Sequence, residues 1–443
     1  MNRKVLGALG VATALTLPWN SSWLLGAGHS LPTLATVAVS GVAILGASFL
    51  LTWGAETAEK DVPRAFAIAV LAVLAVAPEY AVDALYAWNA GLYAGTPQGA
   101  EAGNLAVANM TGANRILIGV GWAGIALFTI LRAGASADAS VESRDGFLAD
   151  ALTLDRDIGL EIVFLLGATL WAFAVPFGGG IDALDLVVLV GLYVAYIAIT
   201  LRGDVEQADA EAHAGVPAAL QTLPKPQRAL AVVALFVFSG VVIFTAVEPF
   251  AHGLEQLGTQ VGVPSFFMIQ WIAPLASESP ELIVVLVLVS KARSTAGFNA
   301  LISSKLNQWT LLIGTLVVVY SIALGQYGAL PFDQKQAGEI WLTAAQSFFA
   351  LALIVDFEIS IREAVGLFVL FITQVATEFL LIRGVIELPV TNYELLLAFS
   401  AVYIALGAAL FVVRREAVLR LTGRTKNVVV QAFVPDAITQ GAD

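Results

Sequence analysis

The sequence predicts an all-α, polytopic membrane protein with about 12 transmembrane helices, and three observations support this fold class. Hydrophobic residues make up 58% of the 443 residues, charged residues make up only 13%, and the mean hydropathy is +0.84. A water-soluble protein of this length needs far more charged surface. Apolar runs of about twenty residues, the length that crosses a bilayer as a helix, recur along the whole chain.

Charged residues and Gly/Pro breaks separate the predicted spans. Their limits are 5–25, 33–54, 64–89, 104–131, 159–176, 183–201, 229–250, 265–290, 297–324, 339–356, 362–383 and 394–413. The first run follows Arg3 and Lys4, as in a signal peptide. No convincing small-residue cleavage site precedes Pro18, however, so a retained helix is favoured.

The basic residues predict the orientation of these spans. With the N-terminus inside, only Lys335 and Arg383 of the 22 lysines and arginines fall in outside loops, while Arg115 and Lys305 lie within spans. Lysine and arginine concentrate in cytoplasmic loops of membrane proteins. We therefore expect a multi-pass protein of the cell membrane with both termini in the cytoplasm.

The two halves of the chain share two sequence elements. In each half, an acidic stretch ending in Val-Pro precedes an apolar span that reaches Pro-Glu, at Glu79 and at Glu281. The second shared element reads GNLAVANMTGANRILIG in one half and GFNALISSKLNQWTLLIG in the other. The predicted spans that carry the two glutamates run in opposite directions, which is typical of the inverted repeats of secondary transporters.

This pattern predicts two inverted five-helix repeats with extra helices at both ends. The segments are an extra N-terminal helix (1–30), a first repeat half (31–202), an acidic cytoplasmic loop (203–228), an inverted second repeat half (229–384), an extra C-terminal helix (385–415) and a cytoplasmic tail (416–443).

Composition excludes several kinds of chemistry. The chain has no cysteine, and the histidines His29, His213 and His252 fall in predicted loops, so a thiolate or imidazole metal site inside the membrane is not expected. No basic patch for nucleic acid exists outside the C-terminal tail. We expect no cofactor and no enzymatic activity, with the lipid bilayer and small cations as partners. The sequence does not indicate an oligomeric state.

Glu79 and Glu281 are the leading candidates for a functional site. A carboxylate at mid-membrane costs roughly 2.5–3.5 kcal/mol on the insertion scale, so it needs a partner or a function. Each glutamate directly follows a proline, which frees a backbone carbonyl about one turn earlier. Carboxylate and carbonyl oxygens together suit Na⁺ or Ca²⁺. The alternative is a kinked helix whose glutamate is capped by a neighbouring helix.

Further polar residues surround the two glutamates in the sequence. Asp83 lies one turn after Glu79, and Ser277 and Glu278 precede Pro280. On the second shared element Asn299, Ser303 and Asn307 share one helix face, and Asn109 lies on the corresponding face of the other half. Such residues can supply the six to eight oxygens that Ca²⁺ takes, and they can equally form hydrogen bonds between helices.

Arg115 and Lys305 occupy equivalent positions in the second shared element. One interpretation is that they pair with Glu79, Glu281, Glu278 or Asp83, replace a bound cation and change the coupling. The other is that they face away from the site, because they lie two residues beyond Ala113 and Ser303 on the helix. The sequence favours neither.

At these residues the chain resembles the sodium/calcium exchanger superfamily, whose two α-repeats read approximately G-T-S-L-P-E-L and then G-N-x-x-G-S-N. The resemblance covers most of the chain and implies ten core helices with ions bound between the repeats. It identifies Glu79 and Glu281 with the ion-binding glutamates. It also matches Ser277, Ser303 and Asn307 with polar ligands.

The α-repeat motifs are degraded in this chain. The Thr-Ser of the first repeat is Ala75-Val76, and the corresponding serine of the second repeat is Glu278. Ala113 replaces a serine and Leu117 replaces a polar ligand. Ion identity and stoichiometry therefore cannot be transferred from the superfamily.

The resulting hypothesis is an antiporter that exchanges Ca²⁺ against Na⁺ by alternating access, with ions bound by Glu79 and Glu281. Movement of the long first segments, about 33–54 and 229–250, against the repeat core is implied by the resemblance. Proton-coupled exchange of Na⁺ or Ca²⁺ is an alternative, because close carboxylates raise one another's pKa. A membrane protein without transport activity is the other alternative, in which Glu79 and Asp83 could form an acidic dyad.

Overall fold

A computed structural model describes residues 3–26, 31–61, 77–136, 138–202, 215–290 and 292–433. Helices dominate these residues and confirm the all-α fold class. Nine of the described helical segments are long and apolar enough to cross a membrane, or ten if the bent helix Ser265–Ser290 is one span. The number twelve and the layout of the repeats stay predictions.

We number the helices in chain order over the described residues. They are α1 (Arg3–Leu24), α2 (Thr33–Ala58), α3 (Ala77–Leu92), α4 (Pro97–Ile116), α5 (Ala123–Ser136), α6 (Gly159–Ala172), α7 (Ala183–Arg202), α8 (Val216–Gln221), α9 (Lys225–Val261), α10 (Ser265–Ser290), α11 (Ser294–Asn307), α12 (Ile313–Leu324), α13 (Gln334–Ile354), α14 (Ile361–Ile382), α15 (Asn392–Val413) and α16 (Arg415–Phe433).

One π-helical turn interrupts the second shared sequence element in each half. Leu117–Trp122 joins α4 to α5, and Gln308–Leu312 joins α11 to α12. A π-turn inserts extra backbone into an α-helix and is frequent at functional sites. The turns begin two residues after Arg115 and three residues after Lys305. The two elements are therefore alike in backbone conformation as well as in sequence.

The described strands are short and lie in loops. They are β1 (Val141–Glu142), β2 (Ala151–Thr153), β3 (Gly180–Ile181), β4 (Leu330–Pro331) and β5 (Glu358–Ser360). The order β1-β2-β5 forms one antiparallel sheet, and β3 pairs with β4 in another, with Ile181 opposite Leu330. These sheets join loops that belong to different predicted repeat halves.

Several predicted boundaries differ from the structure. Helix α9 runs 37 residues to Val261, well past the predicted end at 250, because its acidic segment continues the helix until Gly262 adopts a left-handed φ of 66°. His252 therefore lies in a helix and not in a loop, which corrects the prediction. His29, His213 and the part of the predicted span 64–89 before Ala77 lie outside the described residues.

The chain forms two compact units, and each takes a part of both predicted repeat halves. Unit one is Met1–Ala113 with Asp209–Pro280, and unit two is Asn114–Ala208 with Glu281–Asp443. The long helices α2 and α9 both belong to unit one. Helices α4 and α10 contribute residues to both units.

Glycines allow α2 and α9 to pack closely within unit one. A Cβ at Gly41 would lie 2.8 Å from the ring of Phe250, and one at Gly253 would lie 2.7 Å from Val37. Small residues allow close helix approach inside membranes, where packing rather than hydrophobic burial drives association.

An ion pair joins the start of α9 to the segment that follows α2. Arg228 of α9 donates to both carboxylate oxygens of Asp61, and this hydrogen-bonded ion pair lowers the pKa of Asp61.

Within unit two, an arginine fixes the junction between α15 and α16. Arg414 donates to Asp356 at 2.9 Å, to Glu363, and to the backbone carbonyls of Ala352 and Leu353. After this junction the predicted cytoplasmic tail begins with helix α16, which packs on α6 and α7. The predicted tail is therefore helical from its start to Phe433.

A close approach of α4 to α10 in unit one yields a stability prediction. A Cβ at Gly112 of α4 would lie 1.8 Å from the backbone oxygen of Gln270 in α10, whereas a Cβ at Gly124 of α5 would meet nothing within 4 Å. We expect Gly112→Ala to lower the free energy of unfolding by about 1–3 kcal/mol through overpacking. Gly124→Ala should be neutral or slightly stabilising, because alanine favours helices. Thermal melting of both variants in detergent tests this, and equal melting temperatures would contradict the close approach.

Candidate functional site

A cluster of polar side chains is buried in unit one. Glu79 and Asp83 lie one turn apart on α3, so they share one helix face. Their side chains are 2% and 0% exposed. Asn109 of α4 and Ser277 of α10 complete the cluster. The structure thus brings together four of the residues that the sequence predicts for the site.

One amide nitrogen joins the two carboxylates. Asn109 Nδ2 donates to Glu79 Oε1 at 2.7 Å and to Asp83 Oδ1 at 2.9 Å. The hydroxyl of Ser277 donates to Glu79 Oε2. These donors are neutral, so they hold the carboxylates in place without supplying a compensating positive charge.

Two oxygens of this cluster accept no hydrogen bond from the described residues. They are Asp83 Oδ2 and Asn109 Oδ1, and both are buried. Buried acceptors without a donor are uncommon in native proteins and indicate a missing partner such as an ion, water or proton. The free oxygens are an anionic carboxylate and a neutral amide, which is the ligand chemistry that Ca²⁺ and Na⁺ take.

Glu281 belongs to unit two and accepts a hydrogen bond from a residue that is not among the predicted ligands. Ser304 Oγ of α11 donates to Glu281 Oε2 at 2.9 Å. Gln308 Nε2, in the following π-turn, lies 3.4 Å from Ser304 Oγ and donates to it. Ser304 is a functional candidate that the sequence does not single out, because the motif matches its neighbour Ser303.

The other candidate ligands have mixed environments. Ser303 is exposed, whereas Asn307 is buried on α11. Glu278 is buried on α10, in unit one. No group of three or more His, Cys, Asp or Glu side chains among the described residues could hold a metal ion. A cation here therefore requires amide, hydroxyl or backbone oxygens in addition to carboxylates.

Arg115 has a partner that sequence analysis did not consider. Its guanidinium donates to Glu339 of α13 and to Gln374 of α14, and it is 1% exposed. Gln374 Nε2 donates in turn to Glu378 Oε2 at 2.9 Å. Lys335 Nζ lies 3.3 Å from Glu339 and 3.5 Å from Glu378, which closes a ring of five side chains. We call these five residues the Arg115 ring.

The formal charges of the Arg115 ring cancel. It contains two cationic and two carboxylate side chains, joined by one amide. One of its acids carries a signal in the sequence, because Glu378 lies within an apolar span, about one turn before the span ends, where an acid is costly. The ring shows that the charge of Arg115 is met by Glu339, which is not among the four acids proposed from the sequence.

Lys305 is also fully buried, at 0% exposure. Its Nζ donates to Asn114 Oδ1 at 2.7 Å and lies 3.5 Å from the backbone oxygen of Asn114. The same nitrogen is 4.2 Å from the ring centroid of Trp309, one turn further along the helix. All three residues belong to unit two. The side chain therefore points into the protein, whichever role it has.

Comparison with known proteins identifies the family of this chain. The sequence profile of the sodium/calcium exchanger protein family matches residues 32–202 and 231–380. No curated protein shows a significant match to the sequence. The chain is similar to the crystal structure of the H⁺/Ca²⁺ exchanger CAX, with 42% identity and a TM-score of 0.84 over 96% of this chain and 99% of that chain.

A second solved structure shares only the fold. It is the selenium-substituted Ca²⁺/H⁺ antiporter protein YfkE, with 16% identity and a TM-score of 0.55, covering 86% of this chain and 100% of that chain. The profile matches both repeat halves and includes Glu79, Asn109, Glu281 and Ser304. This chain belongs to the sodium/calcium exchanger family, a family of polytopic cation transporters.

Proposed function

We propose that this protein exchanges Ca²⁺ for protons across the cell membrane by antiport. The observation that carries the proposal is the buried carboxylate pair Glu79 and Asp83, whose named donors are neutral. Sequence analysis favours Na⁺ as the counter-ion. The 42% identity to an H⁺/Ca²⁺ exchanger shifts the proposal to protons.

Either Ca²⁺ or protons can balance the charge of Glu79 and Asp83. When both side chains are ionised, two negative charges lie one helical turn apart with little exposure to water. Burial and mutual repulsion both disfavour that state unless a positive partner is present. One Ca²⁺ neutralises the pair, and so do two protons. Exchange of one for the other keeps the local charge constant while the site alternates between its occupants.

Each unit carries further predicted ligands. Ca²⁺ takes six to eight oxygens, more than the two carboxylates provide. Asn109 Oδ1 and Ser277 Oγ are neutral oxygens of the same cluster. Glu281, held by Ser304, is the matching acidic group of unit two. Glu278, Ser303 and Asn307 stay proposed ligands.

Na⁺ is the second candidate counter-ion. The observation in its favour is the amide oxygen of Asn109, which accepts no hydrogen bond from the described residues. A neutral oxygen does not bind a proton at physiological pH, but it is a good ligand for an alkali cation. Under this second candidate, Na⁺ ions would occupy the oxygens that Ca²⁺ leaves.

Alternating access completes the proposed mechanism. We propose that α2 and α9, which pack together through glycines in unit one, move during transport and expose the carboxylates to each side in turn. Packing through small residues supports this role, because the close contact between the two helices lets them move together as a pair. The distribution of lysine and arginine supports cytoplasmic termini.

The carboxylate pair yields a transport prediction. We expect Glu79→Gln and Asp83→Asn each to lower Ca²⁺ flux into proteoliposomes by about tenfold or more, because loss of a hydrogen-bonded charge to a buried ion costs roughly 1.5–3 kcal/mol. Glu142→Gln is the matched control, since Glu142 is an exposed acid in a loop. Undiminished flux in both site variants would overturn the proposed site.

The counter-ion is testable in the same vesicles. With wild-type protein, an imposed pH gradient should drive Ca²⁺ uptake, because protons leave the carboxylates as Ca²⁺ enters. An imposed Na⁺ gradient at equal pH on both sides should drive little uptake. Uptake under the Na⁺ gradient alone would establish the second candidate. Absence of uptake under both gradients, with folded protein in the bilayer, would contradict Ca²⁺ exchange.

A further inference from the structure

Helix α16 is basic in a chain that is acidic as a whole. The 443 residues carry a net charge of −12, yet α16 contains four basic side chains and one acidic side chain. The four basic residues are exposed, and they are Arg415, Arg420, Arg424 and Lys426. The exchange proposed above uses none of them. Exposed positive charge at this density favours an anionic partner.

Helix α16 lies where three candidate membrane spans end. Only Arg414 separates it from α15, which is one of these spans. A Cβ on Gly159, the first residue of α6, would lie 3.1 Å from the side chain of Leu421 in α16. At the other end of α16, the ring of Phe433 lies 4.9 Å from the guanidinium of Arg202, the last residue of α7. These contacts place α16 at the surface of the apolar layer.

One face of α16 packs on unit two, and a different face stays exposed. The buried face consists of Ala417, Leu421 and Ala432. On the exposed face, Leu419 is 70% exposed and Phe433 is 51% exposed. Arg415 and Lys426 share this face, because spacings of four and seven residues return to the same side of an α-helix. Large apolar side chains beside basic ones are typical of a helix that lies in a membrane interface.

A phospholipid fits this surface better than an acidic protein segment does. Positive charge alone would attract either partner. Leu419 and Phe433 distinguish the two, because exposed apolar side chains at the edge of a bilayer are stabilised by contact with acyl chains. Basic residues that directly follow the end of a span are also typical of anionic headgroup recognition.

We propose that α16 binds the headgroups of anionic phospholipids, with Leu419 and Phe433 at the edge of the apolar layer. The residues that contact the phosphates are Arg415, Arg420, Arg424 and Lys426. Guanidinium groups donate paired hydrogen bonds to phosphate oxygens, and lysine adds a point charge. This inference goes beyond Ca²⁺ exchange and uses none of the residues on which that exchange rests.

The first experiment measures which lipids gather at α16. The chain contains no cysteine, and a Cβ at the exposed Gly423 would meet nothing within 4 Å, so Gly423→Cys can carry a fluorophore. The labelled full-length protein is placed in phosphatidylcholine nanodiscs that contain a small fraction of acyl-labelled phosphatidylglycerol or acyl-labelled phosphatidylcholine. Energy transfer from the fluorophore to each labelled lipid reports the local concentration of that lipid.

We expect phosphatidylglycerol to be enriched over phosphatidylcholine by roughly fivefold or more, since one basic residue near anionic lipid contributes about that factor. Arg424→Gln/Lys426→Gln should lose most of this enrichment, and Arg424→Lys/Lys426→Arg should keep it. Lys60→Gln/Lys225→Gln is the matched control, because it removes two exposed positive charges from unit one. Added salt should weaken the enrichment, because salt screens exposed charges.

Two results would overturn the proposal. One is an equal local concentration of both lipids around the labelled chain. The other is an enrichment that persists in Arg424→Gln/Lys426→Gln when the melting temperature of that variant equals that of wild type. If this variant is unstable, the salt series on the otherwise wild-type chain decides, and an enrichment that does not respond to salt overturns the proposal.

A second experiment tests the acidic protein segment as the partner. Polyglutamate is added to the labelled protein in phosphatidylcholine nanodiscs, and the fluorescence is followed. Saturable binding of polyglutamate, together with no enrichment of phosphatidylglycerol, would assign α16 to an acidic macromolecule and overturn the lipid proposal. Neither experiment uses Ca²⁺ or an ion gradient, so lipid binding and Ca²⁺ exchange can fail independently of each other.

Discussion

An ionised side chain inside a membrane protein needs an opposite charge or several polar atoms around it, and this requirement explains where the chain places its intramembrane charges. Arg115 meets Glu339 within a ring whose formal charges cancel. Lys305 meets oxygens and an aromatic face. Glu79 and Asp83 receive only neutral donors among the contacts described. This difference is why the exchangeable cation or proton is proposed at the carboxylate pair.

Helix geometry allows these polar groups to coexist with apolar spans. Glu79 and Asp83 share a face of α3 because they are one turn apart, and Asn109 of α4 faces both. In unit two the π-turns Leu117–Trp122 and Gln308–Leu312 follow the two basic residues. Each π-turn changes the angular position, around the helix axis, of the residues that follow it. The polar face before the turn can therefore be followed by an apolar face after it.

The sequence predicted the class of fold and much of the unit-one cluster. Composition and the lengths of the apolar runs were enough to predict a membrane fold, since both are set by the lipid that surrounds the chain and not by tertiary contacts. The spacing of Glu79 and Asp83 and the motif position of Asn109 placed three polar residues of one cluster together. The partner of Arg115 was not predictable, because Glu339 lies more than two hundred residues away and the pairing depends on tertiary packing. Ser304 was missed for a local reason, since helix rotation by one residue decides which serine faces Glu281.

The proposed exchange limits the charge that can move. The donors described for Glu79 and Asp83 are neutral, so the exchangeable charge of this cluster lies on its two carboxylates. Two carboxylates accept one Ca²⁺ or two protons, and both states are locally neutral. A conformational change that carries a neutral site through the apolar interior avoids the large cost of moving an uncompensated charge. An exchanger built in this way does no net electrical work at this pair of carboxylates.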